Sequence, residues 1–160
     1  MIRQVKLSDA EAIHDIYARY VRETTVTFET EIPSVGEMRE RIREISAAGP
    51  YFVCEEAGRV AGYCCAHKWK RQQAYGGTLE VTIYLLPEFK GRGLGTQMMT
   101  LLIDECRKAH AHALIACIAG ENTASIKFHE KLGFLQVSLF REVGYKFGRW
   151  LDVVDCELAL

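Results

Sequence analysis

The sequence predicts a mixed α/β domain, in which one sheet of parallel and antiparallel strands carries helices on both faces. Apolar, β-branched runs and segments of helical periodicity follow one another in the order β-α-α-β-β-β-α-β-α-β-β. A hairpin signal at 57–59 precedes a strand–helix–strand unit, and this combination predicts a mixed sheet. The 160 residues contain no repeat and no linker, so a single domain over 1–160 is expected.

The first predicted elements are a strand at 2–6 and a helix at 9–21. Apolar residues recur at helical spacing in the second of these segments, which indicates an amphipathic helix. Ser8 and Glu11 have the spacing of a capping box, which marks the start of that helix. The polar, β-branched residues 23–32 predict a loop after it.

A second helix is predicted to begin at Ser34, with Glu37 at the capping-box position, and to end at Gly49 and Pro50. Its apolar residues are sparse, which predicts a helix at the surface of the protein. The residues 51–55 that follow are expected to form a strand.

Two longer strands are predicted next, at 60–69 and 78–86. The first follows the turn residues 57–59, and a polar loop over 70–77 separates the two strands. The second strand is apolar and β-branched along most of its length, which is typical of a central strand, and Pro87 ends it.

The last part of the chain is predicted to contain two helices and three strands. A long helix follows the glycine-rich residues 91–95, and a shorter helix at 122–132 is closed by Gly133. The strands are expected at 113–119, 134–140 and 151–158. A segment containing glycine, lysine and arginine is expected to join the last two strands.

The overall composition is that of an ordinary globular protein. Hydrophobic residues make up 49% of the chain and charged residues 26%, and the net charge is −1. No global field therefore attracts nucleic acid or an anionic membrane, so neither is an expected partner. No signal-type stretch or membrane-length apolar segment of ~20 residues is found, and a cytoplasmic location is expected.

The cysteines predict buried free thiols in a reducing compartment. They form no C-x-x-C pair and most lie within apolar runs, so no metal site is expected. A catalytic thiol or a zinc site is the open alternative. The six residues are Cys54, Cys64, Cys65, Cys106, Cys117 and Cys156.

The glycine-rich turn at 90–96 is the most informative segment. Its alternating glycines stand between a predicted strand and a predicted helix, where free N–H groups and the helix dipole favour phosphate. The dinucleotide fingerprint fails because position 96 is Thr96, and the Gly-Lys-Ser/Thr end of an ATP P-loop is missing. A turn that only caps the helix is the alternative interpretation.

The spacing Lys90-x-x-Gly93-x-Gly95 resembles the pyrophosphate-binding signature of the GNAT acetyltransferase superfamily, with Lys at the usual Gln/Arg position. The segment 122–134 resembles the second signature of that superfamily. The order of the elements matches as well, so the resemblance covers nearly the whole chain. It implies a GNAT fold, in which the cofactor lies between two parallel strands that splay apart.

Three further features resemble the phosphinothricin and methionine sulfoximine acetyltransferases within that superfamily. They are His129 in the second signature, Glu80 in the central strand and the C-terminal segment 146–152. This resemblance implies an enzyme that transfers an acetyl group from acetyl-CoA to the primary amine of a small amino-acid-like substrate, without a metal. Together with the apolar C-terminal strand, it also predicts a homodimer.

Glu80 and His129 are the candidate catalytic residues. An alkyl ammonium must lose a proton before it attacks a thioester, so the site needs a base. Glu80 lies in an apolar strand, where burial raises the pKa of a carboxyl group, although a strand-edge position or a structural ion pair is the alternative. A histidine accepts or donates a proton near neutral pH, and whether His129 is base or acid stays open.

The resemblance also implies the residues that bind the cofactor. Backbone groups at 83–85 would pair with the pantetheine arm, the turn at 91–96 would hold the pyrophosphate, and two side chains near 122 would contact the arm. The residues are Ile83, Tyr84, Leu85, Gly91, Arg92, Gly93, Leu94, Gly95, Thr96, Asn122 and Ser125.

The acceptor amine is expected to bind near the loop before the central strand. By resemblance, the segment Ala74-Tyr75-Gly76 lines the acceptor pocket, and Arg71 is a candidate partner for a substrate carboxylate. The basic residues near the C-terminus are further candidates. The alternative functions are acetylation of a polyamine, an aminoglycoside or a protein N-terminus, and a non-catalytic acyl-CoA-binding module.

Overall fold

A computed structural model describes residues 1–160 as one seven-stranded sheet with four α helices, in the predicted order. The strands are β1 (Ile2–Gln4), β2 (Tyr51–Glu56), β3 (Arg59–Lys68), β4 (Thr78–Leu85), β5 (Ala113–Ala119), β6 (Leu135–Lys146) and β7 (Arg149–Ala159). The helices are α1 (Ala10–Glu23), α2 (Val35–Ala48), α3 (Leu94–Lys108) and α4 (Thr123–Lys131).

The strands lie in the order β1-β2-β3-β4-β5-β7-β6, and every neighbouring pair is antiparallel except β4 and β5. These two strands are parallel because α3 carries the chain back across the sheet between them. They pair only at their beginnings, from Thr78 opposite Ala113 to Glu80 opposite Ile115. Beyond Glu80 the two strands separate, which opens a V-shaped cleft in the middle of the sheet.

The sheet has a hydrophobic core on each face, because apolar side chains alternate between its two sides along the strands. The larger core lies under α3 and α4 and includes Met98, Leu102 and Phe134. The smaller core lies under α1 and α2 and contains a group of tyrosines. In α2, Met38 and Ile42 are buried in this second core, so the predicted surface position is correct only for the outer side of the helix.

The start of α2 confirms the predicted capping box. The Glu37 N–H donates to the Ser34 hydroxyl at 3.1 Å, and the Ser34 N–H donates to the Glu37 carboxylate at 2.6 Å. The capping box predicted at Ser8 is wrong, since Ser8 lies in a short 3₁₀ turn over Leu7–Asp9. Asp9 takes that structural role instead, because its carboxylate accepts the Lys6 N–H and binds the Arg3 guanidinium through both oxygens.

The final hairpin is longer than the sequence predicted. The residues expected to form an irregular connection continue the ladder, and only Phe147 and Gly148 form the turn, both with positive φ. The register of β6 shifts between Phe140 and Gly144, where Glu142 has a φ of 53°. This bulge interrupts the alternation of inward- and outward-facing side chains along β6, which explains why the sequence predicts an irregular connection there.

The cysteines are all free, and five of the six are buried as expected. Cys117 is the exception, because its side chain is exposed at the V-shaped cleft. No helix is both long enough and apolar enough to cross a membrane. No three His, Cys, Asp or Glu side chains are gathered in a group that could hold a metal ion.

Candidate active site

The separation of β4 and β5 creates the main cleft of the protein, with a volume of about 420 Å³. Side chains from α1, α2 and α4 line it together with those of the central strands. The candidate residues Glu80 and His129 both lie in this lining, as do Ile83, Tyr84, Asn122 and Ser125. The structure therefore brings six of the sequence-predicted residues together around one opening in the sheet.

Glu80 occupies the last paired position of β4, at the apex of the V. Its side chain is half-buried, and no cation lies within 4.0 Å of its carboxylate. Burial raises the pKa of Glu80, while His67 on β3 and the Cys117 thiol on β5 partly oppose this and Asp155 on β7 adds to it. The carboxylate is thus a stronger proton acceptor than an exposed glutamate, and the alternative of a structural ion pair is excluded.

His129 is buried on α4 between two aromatic rings, those of Phe128 and Phe134. Its Nδ1 atom lies 2.8 Å from the Ser125 carbonyl oxygen, so Nδ1 carries the proton of the neutral ring. Burial lowers the pKa of His129, which favours this neutral form. The Nε2 atom has no hydrogen-bond partner, and every fully buried side-chain nitrogen in the protein has one. Nε2 is therefore not fully buried, and since His129 lines the cleft, we place this proton-accepting atom at the cleft.

The side chains near the start of α4 are held by local hydrogen bonds. Asn122 caps the helix, because its side-chain oxygen accepts the Ser125 N–H at 3.2 Å. The Ser125 hydroxyl lies 3.4 Å from Nδ1 of His129. Asn122 therefore caps α4 and also belongs to the lining of the cleft.

The N-terminus of α3 has the geometry of an anion site. Gly91 and Gly93 have φ angles of 76° and 78°, which an L side chain rarely adopts. The first helical hydrogen bond is donated by Gln97 to the Gly93 carbonyl, so the N–H groups of Leu94, Gly95 and Thr96 have no acceptor within the protein. These N–H groups and the positive end of the helix dipole favour a phosphate-bearing ligand.

The loop between α1 and α2 forms one wall of the cleft and is held by polar contacts that the sequence did not predict. Glu29 in this loop accepts two hydrogen bonds from Arg41 at 2.9 and 2.6 Å and a third from the Tyr17 hydroxyl. Buried Lys146 donates to the Thr27 carbonyl at 2.7 Å. Lys146 thus anchors the cleft wall and is not free to bind a substrate.

The family model described as an acetyltransferase (GNAT) domain matches residues 2–154. The chain belongs to the GNAT acetyltransferase family. The resemblance and the fold predicted from the two glycine-containing signatures and the order of the elements are therefore confirmed.

Two curated relatives and one solved structure place this GNAT chain more closely. It is 39% identical to a phosphinothricin N-acetyltransferase from Alcaligenes faecalis, over 96% of this chain and 79% of the relative. It is 34% identical to the L-methionine sulfoximine/L-methionine sulfone acetyltransferase of Salmonella typhimurium, over 99% and 94% of the two chains. A phosphinothricin acetyltransferase from Sinorhizobium meliloti, solved in complex with acetyl-CoA, has a TM-score of 0.96 and 34% identity, covering 100% of this chain and 88% of that one.

Some predicted residues of the GNAT site lie away from the cleft lining. Arg71, Ala74, Tyr75 and Gly76 are exposed in and around a short 3₁₀ turn, where the Tyr75 ring packs edge-on against Trp69. In a single chain this loop does not line the main cleft. The assignment of these residues to the acceptor pocket therefore stays a prediction.

Arg149, another basic residue near the C-terminus of this GNAT chain, binds Glu121 and does not line the cleft. Its guanidinium forms two hydrogen bonds with Glu121, at 2.6 and 2.7 Å, and this contact lowers the pKa of Glu121 to about 2. Arg41 is the arginine that lines the cleft, and the sequence reasoning missed it. The signal was weak, because Arg41 lies in a helix with several other charged residues and only the fold brings it beside Glu29.

Proposed function

We propose that this protein transfers the acetyl group of acetyl-CoA to the primary amine of a small amino-acid-like substrate of the phosphinothricin or methionine sulfoximine type. The observation that carries this proposal is the open V between β4 and β5. It exposes a carboxylate of raised pKa and an imidazole acceptor atom, Glu80 and His129, to the same cleft. The relatives named for acetylation of such compounds support the class of acceptor.

The residues at the V and at α3 fit acetyl-CoA. The N–H groups of Leu94, Gly95 and Thr96 have no acceptor within the protein, and a diphosphate supplies acceptor oxygens together with the negative charge that a helix N-terminus favours. The part of β4 beyond Glu80 has no strand beside it on the β5 side, so its backbone is available to the pantetheine arm. Bound in this way, acetyl-CoA supplies the acetyl group as a thioester.

In this mechanism Glu80 accepts a proton from the substrate ammonium and so produces the attacking amine. Its raised pKa brings the carboxylate nearer to the neutral range in which a base is most effective. His129, neutral and with Nε2 facing the cleft, is a second proton acceptor on the opposite side of the sheet. We assign Glu80 as the base because it stands at the apex of the V, below the wall formed by α1 and α2.

The test is an assay of thiol release from acetyl-CoA with phosphinothricin, methionine sulfoximine, a polyamine and a short peptide as acceptors. We expect turnover with at least one of the two amino-acid analogues and none with the peptide, because α1, α2 and their loop wall one side of the cleft and limit its size. Turnover of the polyamine or the peptide alone would contradict the proposed substrate class. Binding of acetyl-CoA without turnover of any amine would instead support a non-catalytic module.

We also propose that the protein acts in the cytoplasm.

We propose in addition that a second copy of the chain covers the outer face of the last hairpin. β6 is an edge strand, and large apolar side chains are exposed along the hairpin, including Leu135, Val137 and Trp150 at 72%, 56% and 60%. Sedimentation equilibrium is expected to give the mass of two chains. The Val137→Lys variant, which places a charge in this face, is expected to shift the mass to that of one chain.

A further inference from the structure

His67 on β3 is the residue that stands directly opposite Glu80 in the antiparallel ladder. Side chains at such opposed positions lie on the same face of a sheet, with Cβ atoms about 4.5–5.5 Å apart. Both side chains are half-buried and line the main cleft, and the residues Lys68 and Lys70 close to His67 in the sequence are exposed. His67 was not predicted as a functional residue, since nothing in the sequence indicates the β3–β4 register.

The hydrogen bonds of His67 define which ring nitrogen accepts a proton. Nδ1 lies 3.2 Å from the Lys68 carbonyl oxygen, so this nitrogen donates its hydrogen in the neutral ring. Nε2 is then the acceptor atom, and the Thr82 hydroxyl lies 3.4 Å from it. Thr82 is two residues beyond Glu80 on β4 and therefore on the same face, so Nε2 is directed towards the strand that carries the base.

Among the groups close to the Glu80 carboxylate, His67 is the one that can become a cation by taking up a proton. The other groups close to the carboxylate, the Cys117 thiol and Asp155, do not become cations, and burial raises the pKa of that thiol. Of the basic groups in the cleft, Arg41 is occupied by Glu29. Besides Glu80, the titratable groups in this part of the molecule are Tyr17 on α1, Arg41 on α2, Tyr51 on β2, Tyr63, Cys65 and His67 on β3, Tyr84 on β4, Cys117 on β5, His129 on α4 and Asp155 on β7.

No nitrogen of His67 lies within 4.0 Å of the Glu80 carboxylate, so a proton passing between them needs a bridging water molecule. Resting on the proposed function, we propose that His67 receives from Glu80, through such a water, the proton that the substrate ammonium gives up, and releases it to solvent. As the N–C bond forms and the C–S bond of the thioester breaks, the substrate ammonium loses two protons in becoming an amide, and the leaving CoA thiolate takes up one of them. The other is left on the half-buried Glu80 carboxylate and must be removed before the next amine is bound. The transfer converts the Glu80 carboxylic acid and neutral imidazole into a carboxylate and an imidazolium, and the imidazolium then gives the proton to water. His67 acts through Glu80, so it is a positioning residue for the base and does not itself contact the reacting atoms.

The test compares the His67→Gln variant with wild type and with His112→Gln, a matched change at an exposed histidine outside the cleft. With acetyl-CoA and phosphinothricin, we expect kcat of H67Q to fall by roughly tenfold or more, with the KM for acetyl-CoA unchanged. Added imidazole is expected to restore kcat in H67Q in proportion to its concentration. Because protonated His67 favours the Glu80 carboxylate, the acid limb of the rate is expected to move to higher pH in H67Q.

Double substitution separates the failure of this proposal from that of the proposed function. If His67 acts through Glu80, the E80Q/H67Q variant has the same rate as E80Q alone, since the two residues serve one proton. An E80Q variant with the wild-type rate would refute Glu80 as the base. A slow E80Q with an H67Q variant that matches wild type in kcat and pH profile would refute the role of His67 alone.

A readout that does not depend on turnover completes the test. Carbon-13 NMR of the labelled Glu80 carboxyl group follows its titration in the folded protein. We expect the Glu80 pKa to be higher in H67Q than in wild type and unchanged in H112Q, and an identical titration in all three proteins would overturn the proposal. If H67Q does not fold, the smaller His67→Asn change is measured in the same way.

Discussion

The Gly93→Asp variant is expected to lose measurable binding of acetyl-CoA while keeping its fold. Gly93 is the N-cap of α3, next to the three N–H groups that have no acceptor in the protein. An aspartate there brings a negative charge to the place where the diphosphate is expected. Two unit charges 4 Å apart near a protein surface repel by about 4 kcal/mol, which corresponds to roughly a thousandfold in affinity.

Two control variants isolate this charge from the backbone effect. Gly93→Asn adds a side chain of the same shape without the charge, and asparagine tolerates a positive φ as well as aspartate does. Gly58→Asp places the same residue at a turn glycine with a φ of 76° and open space around it, far from α3 in the sequence. Calorimetric titration with acetyl-CoA is expected to show loss of binding in G93D alone. Equal affinity in G93D and G58D would contradict the assignment of the anion site.

The Glu80→Gln variant is expected to lower kcat by about a hundredfold to ten-thousandfold, the range of general base catalysis, with little change in acetyl-CoA affinity. Glutamine keeps the size of the side chain and its place at the apex of the V but cannot take up a proton. Glu130→Gln, a change of the same chemistry on the exposed surface of α4, is the matched control and should retain the wild-type rate. A rate for E80Q equal to that of E130Q would exclude Glu80 as the base.

The pH dependence of the reaction gives the same assignment an independent check. The Glu80 carboxyl group accepts a proton only when it is ionised, so kcat/KM falls as the pH drops below its pKa. Because burial raises that pKa, the acid limb is expected above the usual carboxyl range, where an exposed glutamate would not limit the rate. In E80Q this limb is expected to disappear, and the remaining rate should rise with pH as the free amine becomes available.

The features of the site that could be predicted from the sequence are those with a local cause. Gly93 and Gly95 indicate a turn before a helix, and the N–H groups at the start of that helix are free whatever packs around it. Glu80 stands out because a carboxylate in an apolar strand requires an explanation. The capping box of Ser34 and Glu37 is local in the same way, and the structure confirms it.

Predictions that depended on distant parts of the chain were less successful. The capping box at Ser8 is wrong because Arg3 binds the neighbouring Asp9, a contact that no local pattern contains. Lys146 is one of the basic residues near the C-terminus that the sequence offers as substrate partners, but it is buried against the Thr27 carbonyl, 119 residues away in the sequence. The sequence predicts a final hairpin that is too short, because the bulge before Gly144 disturbs the alternation of apolar and polar residues that marks a strand.

The sequence by itself determined the order of the elements and the family, and it indicated candidate site residues, since periodicity, turn residues and signature spacing are properties of neighbouring positions. Only the tertiary structure decided that β4 and β5 part after Glu80, that His67 stands opposite this residue, and that Arg41 is neutralised by Glu29. The reason is that strand register and side-chain pairing depend on how distant segments pack together. A local pattern in one segment therefore does not specify its partner in another.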